Sequence, residues 1–149
     1  MLDAAEKEMQ TNFMAPLRLI KFLYPIIQAN PTPRIVNVTS GLIYAPRADY
    51  PFYNAAKSAL HAFTQVMRLQ QPTNRVAVTE VMFPAVDTPW HNGNPPRSVI
   101  SPEKAVAEMM KSLRKGNAEI RVGKAKLLYL VSRVAPAFAL KKVNSLANE

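Results

Sequence analysis

The sequence has no cysteine, which excludes disulfides and thiolate metal sites and leaves the redox compartment unspecified. His61 and His91 are the only histidines, so a histidine-rich zinc site is not expected and no metal is assigned. Glycine is scarce: Gly41, Gly93, Gly116 and Gly123 are the four, and none belongs to a glycine-rich turn that opens a helix. A dinucleotide pyrophosphate needs such a turn, because backbone N–H groups must approach it closely. No uncharged apolar run reaches the about 18 residues of a membrane-spanning helix. The first residues, Met1-Leu2-Asp3-Ala4-Ala5-Glu6, have neither the basic nor the apolar region of a signal peptide. These absences favour a cytoplasmic or membrane-peripheral protein.

What is present suits one domain over residues 1–149. Apolar residues make up 48% and charged residues 19%, the balance of a globular chain with a core to bury. The net charge of +9 is uneven: residues 1–96 hold 8 Lys/Arg against 6 Asp/Glu, whereas residues 97–149 hold 11 against 4. A basic half fits nucleic acid, an anionic lipid surface or a solvated face. No helix-turn-helix, zinc or aromatic-basic signature accompanies it, so nucleic acid is not an expected partner.

Apolar spacings of three and four predict a helix over 2–28, with Pro16 as a kink or break. Asn30-Pro31-Thr32-Pro33 ends it. The β-branched run 34–39 predicts a buried strand. Helical periodicity returns over 53–70, and alternation over 75–82 predicts a second strand. Phe83 to Pro96 reads as an irregular loop. Ser101-Pro102 starts a helix over 102–115 that Lys115-Gly116 ends. A short strand follows at 119–122, then an amphipathic stretch over 125–147 broken near Pro136. Helices alternating with strands predict an α/β fold, a partial doubly wound parallel sheet of Rossmann-like type. Ligands of such sheets bind beyond the carboxyl ends of the strands, where Ser40 and Val86-Asp87-Thr88 lie.

Tyr53 and Lys57 are four apart on the predicted helix and share a face. A phenol with an unperturbed pKa of ~10 is a poor acid-base group at neutral pH. A neighbouring ammonium lowers that pKa, and the pair can then exchange a proton with an alcohol or carbonyl oxygen. Alone, this spacing is equally that of a solvated Tyr and Lys.

Context narrows it. Arg34-Ile35-Val36-Asn37-Val38-Thr39-Ser40-Gly41, with Ser40 13 residues before Tyr53, resembles the active-site strand of the short-chain dehydrogenase/reductase family. Tyr53-Asn54-Ala55-Ala56-Lys57-Ser58-Ala59-Leu60 is similar to its Tyr-x-Ala-Ser-Lys-x-Ala block. Thr11-Asn12-Phe13-Met14-Ala15-Pro16 resembles the helix bearing its asparagine, and Asn12 precedes Ser40 by 28 residues. Arg75-Val76-Ala77-Val78-Thr79-Glu80-Val81 looks like the next strand, and Val86-Asp87-Thr88 the stretch that touches the nicotinamide carboxamide.

The resemblance implies hydride transfer between NAD or NADP and a small alcohol or carbonyl substrate. It casts Tyr53 as general acid-base and Lys57 as the group that lowers its pKa and holds the nicotinamide ribose. Ser40 would hold the substrate oxygen, Asn12 a water relaying protons from Lys57, and Val86 and Thr88 the carboxamide. Trp90 and His91 would touch substrate from a lid, or belong to an ordinary loop. A homodimer through helices 2–28 and 53–70 is also implied, with Phe63 and Met67 as interface candidates. His61 reads as a helix-surface or interface residue.

Two departures stand out. Phe83-Pro84 replaces the family's Pro-Gly, although Pro84-Ala85-Val86-Asp87-Thr88 resembles forms grouped with D-alanylation operons of lipoteichoic acid. The family's opening Thr-Gly-x-x-x-Gly-x-Gly turn and its neighbouring β-α units, roughly its first hundred residues, have no counterpart here. The choice between NAD and NADP is read in that part, and weak or no nicotinamide binding by this chain alone is the expectation. Two readings stay open: an oxidoreductase represented by its catalytic part, and a truncated, inactive relative serving as an interaction or membrane-peripheral module. The basic tail 124–149 either packs on its own domain or lies on an anionic membrane.

Overall fold

The computed structural model describes residues 1–71, 75–89, 96 and 98–145. Its elements, in chain order, are α1 (Leu2–Met9), a π-turn (Gln10–Met14), α2 (Ala15–Gln28), β1 (Arg34–Ser40), a 3-10 turn (Gly41–Ile43) and α3 (Pro51–Gln70). There follow β2 (Ala77–Phe83), α4 (Pro102–Arg114), β3 (Glu119–Arg121), α5 (Lys124–Val134) and α6 (Pro136–Ser145). The three strands form one parallel sheet in the order β1-β2-β3. Parallel neighbours need long crossovers, and α3 and α4 supply them.

The expected α/β architecture is therefore present, with local shifts that have local causes. The helix expected over 2–28 is interrupted at Gln10–Met14, where Ala15 N–H bonds the Gln10 carbonyl five residues back. Pro16 has no N–H to offer the carbonyl of Asn12, so the ordinary ladder cannot continue there. Helix α3 starts at Pro51 rather than 53, because proline suits the first helical turn. Ser101 caps α4 by accepting from Lys104 N–H at 3.3 Å, and Gly116 follows its end at φ +75°. The tail divides as expected, Ala135 leaving helical geometry just before Pro136.

Two apolar clusters cover the sheet. Ile35, Val76 and Val78 pack with Met67, Phe63 and residues of α2, whereas Val81, Ile120 and Val122 pack with Ala105. This corrects the expectation for Phe63 and Met67. Both face the core, Phe63 also meeting Phe13 edge-on at 6.4 Å, and the large exposed apolar residues of α3 are Val66 and Leu69. The other face of β1 presents Val36 and Val38 to solvent, and α2 presents Leu19, Phe22 and Ile26. Parallel sheets are normally covered on both faces.

Candidate active site

Strand β1 ends at Ser40 level with Phe83 of β2, so both chains leave the sheet at the same carboxyl edge. The Ser40 side chain accepts from Leu42 N–H at 3.2 Å and starts the 3-10 turn. Gly41 allows α5 to approach: a Cβ there would lie 3.1 Å from that of Ala125. Asn144 ties α6 to the loop before α3, accepting from Ala48 N–H at 2.8 Å and donating to the Pro46 carbonyl at 3.0 Å. Between the strand ends, α3 and these last two helices lies a cavity of about 510 Å³.

Asn12, Ser40, Tyr53, Lys57, Val86 and Thr88 all line this cavity. Six residues spread over 77 positions of sequence thus meet at one wall. Trp90 and His91 lie outside the described residues. The Ser40 hydroxyl is close enough to the Tyr53 phenol to act on it, and its influence lowers the phenol pKa. The Lys57 ammonium donates to the Val38 carbonyl at 3.0 Å and lies 5.8 Å from the centre of the Tyr53 ring.

The electrostatics differ from the sequence expectation. Burial raises the Tyr53 pKa above its ordinary value, against the lowering effect of the Ser40 hydroxyl, and the Glu8 charge adds to the rise. Lys57 is not among the groups that lower it. Burial in turn lowers the Lys57 pKa, with Glu8 opposing. At neutral pH the phenol therefore keeps its proton.

Several site groups were not singled out in the sequence. Glu8 accepts from Asn12 Nδ2 at 2.6 Å and its charge reaches both Tyr53 and Lys57. One helical turn separates Glu8 from Asn12, a spacing the sequence does display. Arg47 and Lys124 bring two cations to the cavity wall. His61 is a correction: it faces inward, its Nδ1 2.8 Å from the wholly buried carboxylate of Glu80. Thr39, next to Ser40, donates to the same carboxylate at 2.6 Å. A carboxylate between Val78 and Val81 in a predicted strand was the available signal.

The profile of the short chain dehydrogenase family matches residues 2–98. The chain belongs to that family. It is 36% identical over 118 residues to the uncharacterized oxidoreductase DltE of Bacillus subtilis, covering 76% of this chain and 47% of that protein. It is also 36% identical over 88 residues to an NADPH-dependent 1-acyldihydroxyacetone phosphate reductase of Schizosaccharomyces pombe, covering 58% of this chain and 29% of that one. This family member thus spans less than half the length of these curated relatives. Its fold matches a short-chain dehydrogenase from Burkholderia cenocepacia, solved in complex with NADP, with a TM-score of 0.85 and 24% identity over 96% of this chain and 60% of the other.

The residues present fit one end of a nicotinamide dinucleotide. Hydroxyl and ammonium groups of Tyr53, Lys57 and Thr88 meet at the cavity, as a ribose and a carboxamide require. The pyrophosphate end has no matching cradle among the four glycines of this sequence.

Proposed function

We propose that this chain carries the proton-transfer side of a short-chain oxidoreductase acting on an alcohol or carbonyl. The observation that supports it best is the convergence of Tyr53, Ser40, Lys57 and Asn12 on the lining of one cavity. In the reducing direction Tyr53 gives its proton to the carbonyl oxygen, which becomes the hydroxyl of the product. The Ser40 hydroxyl donates to the same oxygen and stabilises charge developing there. Lys57 and Asn12 restore the Tyr53 proton from solvent. The reverse direction runs the same transfers backwards.

NAD or NADP, when bound, supplies the hydride chemistry. Lys57 would hold its ribose hydroxyls, and Val86 and Thr88 its carboxamide. Trp90 and His91 remain candidates for substrate contact. The cavity wall is largely apolar, with Leu42, Phe83, Leu128 and Val143 among its residues, while Arg47 and Lys124 add cations. That combination suits a carbonyl on an aliphatic chain with an acidic end. The S. pombe relative is named for a substrate of this character, a 1-acyldihydroxyacetone phosphate. The homodimer proposed through 2–28 and 53–70 would draw on exposed Leu19, Phe22, Ile26, Val66 and Leu69.

Turnover of aliphatic aldehydes and ketones, followed by loss of reduced-nicotinamide absorbance, tests the reading. Tyr53→Phe should lower it by about a hundredfold or more. A Tyr53→Phe variant as active as the parent would refute the proposed acid. No turnover by the parent chain with either nicotinamide would leave the inactive reading in its place. Calorimetry should find weak or no NADH and NADPH binding, and micromolar binding would overturn the phosphate-cradle argument.

A further inference from the structure

Helix α5 has two unlike faces. One carries buried Ala125 and cavity-lining Leu128. The other presents Leu127, Leu130 and Val134, at 61%, 52% and 87% exposure. Spacings of three and four set these on a single stripe. Lys126 and Arg133, both exposed, run along one edge of it. Helix α6 continues the pattern with Phe138, 60% exposed, flanked by exposed Lys141 and Lys142. Residues 124–145 hold five cations and no Asp or Glu.

We propose that the outer face of α5 and α6 docks on an anionic lipid bilayer. Charge complementarity selects this occupant. A second copy of the chain would bring the outward Lys126, Arg133, Lys141 and Lys142 against the same four, with no carboxylate within these helices to pair them. Exposed leucine, valine and phenylalanine gain nothing from a phosphate backbone in water, but they gain by entering the acyl boundary of a membrane. Cations along the edge of the stripe then lie at headgroup depth, beside the acidic lipids. No helix among the described residues is long and apolar enough to cross a membrane, so the contact is a surface one. The inner face of the same helices closes the catalytic cavity.

Co-sedimentation of the full chain with vesicles tests this. Phosphatidylcholine vesicles containing phosphatidylglycerol should bind it, vesicles of phosphatidylcholine alone should not, and added salt should weaken the binding. Lys126→Gln with Arg133→Gln should weaken partition by about thirtyfold, from the usual contribution of two cations near an anionic surface. Leu130→Gln with Val134→Gln should weaken it by about tenfold or more. These positions are exposed, so both variants should keep the parent circular dichroism. Equal binding to neutral vesicles, or vesicle binding that ignores either pair of substitutions, would overturn the proposal. So would a dimer in sedimentation analysis that only the Leu130 and Val134 changes dissolve, which would assign the face to a second copy.

Discussion

The carboxylate of Glu80, wholly buried in β2, lies 2.8 Å from Nδ1 of His61 on α3. Thr39 of β1 donates to it as well, so one side chain ties three elements together beside Ser40. Burying a carboxylate is costly unless its partners remain. His61→Leu should therefore destabilise the chain by about 1–3 kcal/mol, since it removes one of the side-chain hydrogen-bond partners of a buried group. Replacing Glu80 and His61 together by leucines should cost much less. Urea unfolding of both variants checks this, and a larger loss in the double variant would contradict it.

Tyr53 should ionise above the ordinary tyrosine range, because burial raises its pKa. The difference in tyrosinate absorbance between the parent and Tyr53→Phe isolates this group from the other four tyrosines. The Glu8 charge raises the pKa values of both Tyr53 and Lys57. Glu8→Gln should move both downward together. A Tyr53 that ionises at or below ~10 in the parent would show that the lysine, not burial, governs it.

The folded-state pKa of Tyr53 exceeds its unfolded value, so the stability linked to it is complete below pH ~10 and is lost as pH rises through the folded pKa. Lys57 has the opposite sign for a base: its folded pKa is lowered, so its burial penalty eases as pH rises through that value. Stability measured across alkaline pH in the parent, Tyr53→Phe and Lys57→Met separates the two. A Tyr53→Phe curve that follows the parent throughout would remove Tyr53 as a source of the alkaline loss.

Glu119 is pushed upward by burial, but Arg121 and Arg68 outweigh this and hold its carboxyl below the ordinary value. Its contribution is present above the unfolded carboxylate pKa and is lost as pH falls through the folded one. Glu119→Gln should flatten the acid limb of the stability curve. An identical acid limb in parent and variant would count against this ion cluster.

Gly123 precedes α5 with φ +50° and ψ −126°, backbone that an L side chain adopts only under strain. An added Cβ there would meet Pro84 at 3.6 Å and Ile100 at 3.7 Å, ordinary contact distances. The cost of Gly123→Ala is thus conformational, about 1–3 kcal/mol. Thermal unfolding measures it, and a loss near zero would mean that the turn adopts another conformation.

The sequence by itself determined what contiguous residues can encode. The spacing of apolar positions set the helices and strands, Pro102 placed a helix start, and Pro136 marked the break in the tail. Ser101 and Gly116 bounded α4. Asn12, Ser40, Tyr53 and Lys57 were legible because family spacing is itself a feature of the chain, and they do meet at one cavity wall. Tertiary structure decided what depends on partners distant in sequence. It turned Phe63 and Met67 inward, joined His61 to Glu80 19 residues away, and brought Lys124, Leu128 and Val143 to close the cavity. It also set the direction of the Tyr53 pKa. Periodicity and capping act within a few residues, whereas desolvation depends on everything packed around a group. The spacing from Tyr53 to Lys57 was therefore readable at once, while the effect of burying the phenol was not.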